Sequence, residues 1–301
     1  MELRVPAAGP DELLVRVEFA GVNPLDWKVA DGFYEGSRPH VFPLVLGVDA
    51  AGTVEHVGTK VTRFRVGDRV FGQFLHSPVG TGTYAEFTTV PEGIGIARVP
   101  AGMTMDEASA LPTAGMTALS CLDALGLARG SSLVIVGASG GVGSFATELA
   151  AARGIKVIAV ARPSSAVRLR SLGAEEVVDA SSGDERVGVR AAHPSGVDGL
   201  LDAKSDRAGF ASWTTVVRRG GTAVITTHAA DPSVLDAAGI RGGNVDLAPT
   251  AELLERLSRE VVQQGLRVPL ERRIRLDEAA QALRDLKAGH ASGKTVIDPR
   301  S

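Results

Sequence analysis

The sequence predicts an α/β protein in two parts, a compact β-barrel-like unit followed by a doubly wound parallel sheet. Three observations predict it. Up to about residue 100, short β-branched segments recur at close spacing between turn signals. From Ser132 onward, continuous apolar runs of strand length alternate with helical stretches. The chain has 301 residues, enough for two domains.

The elements follow in order. LLVRVEFAGV (13–22) is mostly apolar and β-branched. DAAGTVEHVG (49–58) alternates around Val54 and Val57, GDRVFGQF (67–74) enters a short strand from a Gly-Asp turn, and TYAEFTTVP (83–91) is a strand closed by Pro91. The pattern changes near Pro100. Residues 105–127 carry helical periodicity interrupted by Pro112. SLVIVG (132–137) reads as a strand buried on both faces, with a helix from Val142 to Arg153 behind it. KVIAVA (156–161), a helix ending at Leu172-Gly173, EEVVDA (175–180), GVDGLLDA (196–203) and GTAVITT (221–227) continue the alternation. That alternation means a parallel sheet with helices on both faces. After Gly243 come a short strand, NVDLA, a charged helix over 252–265, an amphipathic helix over 277–289 and a last strand, KTVIDP (294–299).

Composition removes several function classes. Hydrophobic residues make up 44%, ordinary for a globular core, and the 36 glycines follow no fixed period. A net charge of -3 gives no basic footprint for nucleic acid. Cys121, the single cysteine, excludes an intrachain disulfide or Cys-rich zinc site; within TALSCLDALGL it reads as a small buried hydrophobe rather than a nucleophile. The N-terminus lacks the basic-then-apolar order of a signal peptide, and no stretch reaches ~18 apolar residues. The expectation is a cytoplasmic protein without a membrane partner.

The strongest chemical signal is VIVGASGGVGSFATELA (134–150), with Gly137, Ser139, Gly140, Gly141, Val142 and Gly143 at the turn. It follows a buried strand and opens a helix, the context of a dinucleotide fingerprint. Glycines bring the backbone close to a pyrophosphate, and the N–H groups and dipole of the helix start favour its charge. The spacing G-x-x-G-x-x-G departs from the common G-x-G-x-x-G, and a loop serving only packing is the alternative. The second strand ends AVARPSSAVR, with Arg162, Ser164 and Ser165 and no carboxylate where NAD binders place one. An arginine pairs with a 2′-phosphate, which points to NADPH; the alternative is a solvated surface arginine.

AGVNPLDWKVADG (20–32), LGVDAAGTVEHVG (46–58), GDRVFG (67–72), LPTAGMTAL (111–119), GASGGVGSFATELA (137–150) and GHASGKTVI (289–297) occur in this order. Together they resemble the zinc-independent quinone oxidoreductases and enone reductases of the medium-chain dehydrogenase/reductase superfamily. The resemblance implies a GroES-like β-barrel catalytic domain over 1–110 with a C-terminal return over 266–301. It also implies a Rossmann NADPH-binding domain inserted over 111–265. Family members usually carry one or two more strands before LRVPAAGPDELLVRV, so an edge of the first sheet is expected to be missing. Zinc-dependent relatives have Cys where this chain has Asn23, and Gly-His-Glu where it has Gly47-Val48-Asp49; their third ligand falls near Thr113. Asn23 and Val48 are poor ligands, so no metal is expected. His40, His56, His76, His193, His228 and His290 are scattered without ligand spacing.

The implied activity is NADPH-dependent hydride transfer to quinones or α,β-unsaturated carbonyls, acceptors electrophilic enough to need no Lewis acid. The alternative is a non-catalytic NADPH-binding sensor or scaffold. By resemblance, Asn23 and Thr117 line the nicotinamide cleft, while Thr226, Thr227, Val245, Leu247 and Lys294 contact the cofactor. Lys28 and Tyr34 are the candidate proton donors, with Tyr84 a further hydroxyl; the plain alternatives are a solvated lysine, packed tyrosines and a proton from solvent. A homodimer is expected, by resemblance and from an apolar strand at Val245 to Ala248 that a second copy would cover.

Overall fold

The structure is a computed structural model that describes residues 2–75, 77–181, 183 and 185–301. His76 therefore lies outside the described residues. The chain divides into two compact units, one holding the residues up to Met116 with Ala248–Gln263 and Val268–Ser301, the other Thr117–Leu247 with Gln264–Arg267.

The first unit is organised by β1 (Glu12–Gly21), whose alternating pattern puts Leu13, Val15 and Val17 fully inside. One edge of β1 pairs along its length with β3 (Asp49–Val57). The other edge is shared: β6 (Phe87–Pro91) takes Glu12 to Arg16, and β15 (Lys294–Asp298) takes Ala20 and Gly21. The seven-stranded sheet runs β14 (Leu270–Arg275), β15, β1, β3, β4 (Arg69–Gln73), β7 (Ile96–Arg98), with β6 on β1. The final strand thus returns beside the first. A small second sheet pairs β2 (His40–Val45) with β5 (Val79–Thr81). A core of Leu13, Val15, Val54, Phe64, Phe74 and Ile297 fills this unit.

Two segments depart from the sequence reading. Helix α1 (Pro24–Ala30) was not anticipated: Asn23 is extended at its N-cap, Pro24 opens it, and Asp26 accepts the Asn23 N–H at 2.7 Å. Pro112 does interrupt the long helical stretch, dividing α2 (Met105–Ala110) from α3 (Pro112–Leu125). The charged helix α9 (Ala251–Gln264) was expected with the parallel sheet, but nearly all of it belongs to the first unit. Its apolar stripe is Leu254, Leu257 and Val261, and Leu257 closes on Gly115 so tightly that a Cβ there would meet Leu257 Cδ2 at 2.7 Å.

In the second unit six parallel strands take the order β10 (Ala174–Asp179), β9 (Lys156–Ala161), β8 (Ser132–Val136), β11 (Val197–Asp202), β12 (Val217–Ile225), β13 (Arg241–Asn244). Numbered within the sheet this is 3-2-1-4-5-6, the doubly wound order, with its switch point between β8 and β11. Helix α4 (Gly141–Ala152) follows β8. The strand expected at Val245 to Ala248 is not formed: β13 ends at Asn244, and only the Val245 N–H continues the ladder, to Ile225 O at 2.9 Å. Among the described residues no helix is long and apolar enough to cross a membrane.

Candidate active site

In the first unit the residues that carry the family motifs converge on a buried polar cluster. Asp49, at the head of β3, is fully buried; Asn23 and Asp26 are 1% exposed and Lys294, the first residue of β15, 2%. Burial at this level is costly for charged groups unless each finds partners. Asp49 finds them. Its carboxylate accepts from Asn23 Nδ2 (2.9 Å), Thr113 N (3.1 Å), Thr113 Oγ1 (2.6 Å) and Lys294 Nζ (3.4 Å). Gln73 Nε2 donates to Thr113 Oγ1 at 2.6 Å, and Thr83 Oγ1 to Asp49 O at 3.0 Å.

Lys294 answers the expectation that it reaches a cofactor. An ammonium has three N–H donors. Here they go to Val22 O at 2.9 Å, Asn23 Oδ1 and Asp49 Oδ2, all within the unit. Burial pulls its pKa down, and Asp49 and Asp26 oppose that pull. Lys294 is thus a fastener between the two ends of the unit rather than a hand extended to a ligand. Asn23 is occupied likewise, its Oδ1 by Lys294 and its Nδ2 by Asp49 and Gly21 O. It holds the cluster rather than presenting a group to substrate.

Asp26 behaves differently. Its Oδ2 accepts the Asn23 N–H and, at 2.8 Å, the Tyr84 hydroxyl, while its buried Oδ1 has no partner among the described residues. Burial pushes its pKa up to about 7, against the lowering effect of the Tyr84 and Asn23 bonds. The Tyr84 hydroxyl is raised well above 10 by burial and by Asp26, so it stays a donor. Tyr84 can close on this spot because residue 47 is glycine: with φ +96, a Cβ there would meet Thr83 Oγ1 and Tyr84 Cδ1 at 2.4 Å. Asp26 lines a cavity of ≈ 40 Å³ with Tyr34, Arg38, Val48, Phe74 and Leu75. Tyr34 is therefore at the cavity, its ring 4.3 Å from the Arg38 guanidinium carbon. Lys28 is not: it is exposed, its ammonium 5.8 Å from the Trp27 ring centroid.

The positions where the resemblance would put metal ligands are occupied by Asn23, Val48 and, near the third, Thr113, and among the described residues no three His, Cys, Asp or Glu side chains converge. Cys121 is fully buried, and burial pushes its thiol up to about 12, far from a reactive thiolate.

In the second unit the glycine loop sits at the C-terminal end of β8, at the switch point. Gly137 has φ +77, and Gly140 is the N-cap of α4. By helix geometry the N–H groups of Gly141, Val142 and Gly143 have no intrahelical acceptor. Two glycines there serve different ends. A Cβ on Gly143 would meet Gly137 O at 2.4 Å and Ala138 Cα at 2.6 Å, so packing forbids one. Gly140 has φ -76, open to any residue, and a Cβ there would meet nothing closer than Gly137 O at 3.4 Å. The protein itself makes little use of that missing side chain. The space fits a phosphate approaching the helix start, so the loop fits the dinucleotide that the motif implies.

Of the other residues expected at the cofactor, Arg162, Ser164 and Ser165 follow the C-terminal end of β9, Thr226 and Thr227 that of β12, and Val245 and Leu247 that of β13. Arg162 is exposed, first after β9, and caps a 3-10 turn over Pro163–Ser165; Ser164 is exposed and Ser165 buried. Thr226 N donates to Asp202 O and Thr227 Oγ1 to Ser205 O at 2.7 Å. Val245 and Leu247 follow β13 half-buried, and Thr117 is buried within α3. Sequence reasoning missed Arg168, on α5 (Ala166–Ser171). Its guanidinium donates to Ser139 O and Ser144 Oγ, both at 2.9 Å, and so braces the loop from the side. A lone arginine in a helix carries no sequence signal for that.

Comparisons with known proteins return dehydrogenases and reductases. Residues 9–101 match the alcohol dehydrogenase GroES-like domain, and residues 172–297 the zinc-binding dehydrogenase family. The chain is 28% identical to a chloroplast envelope quinone oxidoreductase homolog of Arabidopsis thaliana, over 99% of this chain and 93% of that protein. It is 29% identical to a 2-methylene-furan-3-one reductase of Solanum lycopersicum, over 98% and 74%. Among solved structures, an alcohol dehydrogenase superfamily protein from Novosphingobium aromaticivorans is 32% identical, with a TM-score of 0.85 over 99% of this chain and 94% of that one. A mycobacterial protein complexed with NADPH is 29% identical, with a TM-score of 0.86 over 99% and 94%.

Proposed function

The chain belongs to the medium-chain dehydrogenase/reductase superfamily, alongside quinone oxidoreductases and enone reductases, and on that premise we propose that it is an NADPH-dependent oxidoreductase reducing quinones or α,β-unsaturated carbonyls without zinc. The single observation that carries the cofactor reading is the loop at the switch point, with a glycine at position 140 whose side-chain space the protein leaves open. When bound, the dihydronicotinamide supplies a hydride. In this proposal Ser139, Gly140, Gly141, Val142 and Gly143 hold the pyrophosphate, Arg162, Ser164 and Ser165 the 2′-phosphate, and Thr117, Thr226, Thr227, Val245 and Leu247 the nicotinamide half.

The zinc-free part of the proposal rests on donor chemistry. Asn23, Val48 and Thr113 offer a metal no thiolate, imidazole or carboxylate, and the Lys294 ammonium already engages Asn23 and Asp49. Tyr34 is retained as a substrate-facing residue because it lines the cavity beside Asp26. A homodimer is proposed through β13, one of the two edge strands of the parallel sheet; light scattering reads its mass. The test of function is NADPH and NADH oxidation followed by absorbance against a panel of quinones and enones. Turnover of at least one acceptor, faster with NADPH, is expected. Tight NADPH binding with no turnover of any acceptor would instead favour a sensor or scaffold.

A further inference from the structure

We propose that Asp26 is the proton donor of the reaction, a buried carboxylic acid that delivers its Oδ1 proton to the carbonyl oxygen of a quinone or enone entering the cavity it lines. The proposal rests on the reductase reading above.

The hydrogen bonds around Asp26 decide where its proton sits. Oδ2 receives two donors, the Asn23 N–H at 2.7 Å and the Tyr84 hydroxyl at 2.8 Å. A proton on Oδ2 would face both of them, so the acid proton belongs on Oδ1. That atom is buried and has no acceptor among the described residues. A buried O–H without an acceptor is costly, and Asp26 is one of the residues lining the cavity, so an acceptor arriving there would complete it. The cavity of ≈ 40 Å³ holds roughly three water-sized groups. That is room for a carbonyl head, and the surrounding Val29, Val45, Leu46 and Phe74 suit the carbon atoms next to it.

The charges facing Asp26 keep it an acid. Asp49 opposes its ionisation, Lys294 favours it but is bonded to Asp49, and Tyr84 donates to it; Arg38 and Tyr34 stand on the cavity wall. The net result, with burial the largest cause, is a pKa of about 7, where a group both holds and releases a proton near neutral pH.

The step balances. Hydride addition at the β-carbon of an enone forms a C–H bond and leaves the displaced electron pair on the carbonyl oxygen. The O–H bond of Asp26 breaks as that oxygen takes the proton, giving an enol that becomes the saturated ketone. Asp26, now a carboxylate, regains a proton from solvent. With a quinone, one hydride and one proton give the hydroquinone. In both cases the dihydronicotinamide is oxidised and the acceptor reduced by two electrons.

The test combines Asp26→Asn and Tyr84→Phe with pH profiles and infrared spectroscopy. Asparagine has the shape of the protonated acid and still accepts from Asn23 and Tyr84, so below pH 6 its melting temperature should match wild type. Its kcat should fall on the order of 10²–10⁴-fold. Wild type should lose activity above about pH 7 through a basic limb that Asp26→Asn lacks. Tyr84→Phe removes a bond that lowers the Asp26 pKa, so the limb should move to higher pH, a shift that a purely structural role would not produce. The C=O band of a protonated carboxylic acid should be present at pH 5, fade through pH 7 and be absent from Asp26→Asn, with or without substrate. Full activity in Asp26→Asn, an unmoved limb in Tyr84→Phe, or no such band would each overturn the proposal. A wild type that shows the band but turns over no quinone or enone would overturn the reductase reading instead.

Discussion

Adding one methyl group at each of two glycines in the same loop tests whether that loop is built for a ligand or for packing. At Gly143 the new Cβ would lie 2.4 Å from Gly137 O and 2.6 Å from Ala138 Cα, both backbone atoms that cannot swing aside. Overpacking of this kind costs typically 1–3 kcal/mol, and the upper end, about 3 kcal/mol, applies when backbone must move. At about 2–4 °C per kcal/mol, Gly143→Ala should lower Tm by roughly 6–12 °C. At Gly140 the Cβ meets only Gly137 O at 3.4 Å and φ is -76, so Gly140→Ala should cost no more than about 1 kcal/mol, the difference between glycine and alanine at an N-cap. The methyl would nonetheless stand where a phosphate approaches the start of α4. Losing one charge-assisted hydrogen bond there removes roughly 1.5–3 kcal/mol, a tenfold to hundredfold rise in the Kd for NADPH. Thermal melts without cofactor and fluorescence titrations with it read the two quantities separately. The reasoning is refuted if Gly140→Ala melts as low as Gly143→Ala while binding NADPH as well as wild type.

The remaining predictions concern charge. Arg162→Ala should weaken NADPH by on the order of tenfold to a hundredfold with NADH little changed, and Arg162→Glu should reverse the preference; equal effects on both cofactors in a titration would make Arg162 a surface charge. Arg168→Leu should weaken NADPH and NADH alike, because Arg168 braces Ser139 and Ser144 rather than reading the ribose; a selective loss of NADPH would assign it to the 2′-phosphate instead. Lys294→Met should destabilise the fold by about 3–5 kcal/mol in denaturant titrations by leaving Asp49 buried without its cation, and adding Asp49→Asn should recover much of that loss. Purified protein should carry no stoichiometric zinc by elemental analysis and keep its activity in chelator; about one zinc per chain would contradict the donor-set argument.

Much of the fold could be read in advance because its signals are local. A buried parallel strand is a continuous apolar run, so SLVIV and KVIAVA were legible as strands, and the glycine pattern after the first was legible as a loop opening a helix. Helix α1 was missed although Asn23, Pro24 and Asp26 form a recognisable helix start, because its seven residues carry too short a periodicity to detect. The strand placed at Val245 to Ala248 was one of apolar content, whereas β13 is formed by Arg241, Gly242, Gly243 and Asn244. Gly242, with φ +123 and a Cβ that would fall 1.9 Å from Ala223 O, shows why: close approach to β12 counted for more there than side-chain hydrophobicity. The site was half legible. Asn23, Asp49 and Lys294 were in view as motif positions, but their mutual bonding spans up to 271 residues and exists only once β15 lies beside β1.

That return of the last strand explains why two neighbouring carboxylates in one buried cluster play different parts. The cluster contains Asp26, Asp49 and a single lysine, Lys294. Lys294 enters on β15, which pairs with β1 at Ala20 and Gly21, and this register delivers its ammonium to Val22, Asn23 and the side of Asp49. Asp49 adds the N–H and hydroxyl of Thr113 and the Asn23 amide, enough charge-assisted bonds to hold a buried carboxylate. Asp26 is left with one backbone N–H and one tyrosine hydroxyl, and with Asp49 as a negative neighbour. Its folded pKa is raised from 3.8, so the folded state holds a proton that the unfolded chain has lost. The stability contributed by that protonation is fully present below about pH 4 and is lost as pH rises through about 7. Up to about pH 7 the fold therefore maintains a neutral acid at a cost that grows with pH, reaching roughly 4 kcal/mol there. A carboxyl serving only as a helix cap would fulfil its role as well, and at lower cost, in contact with water.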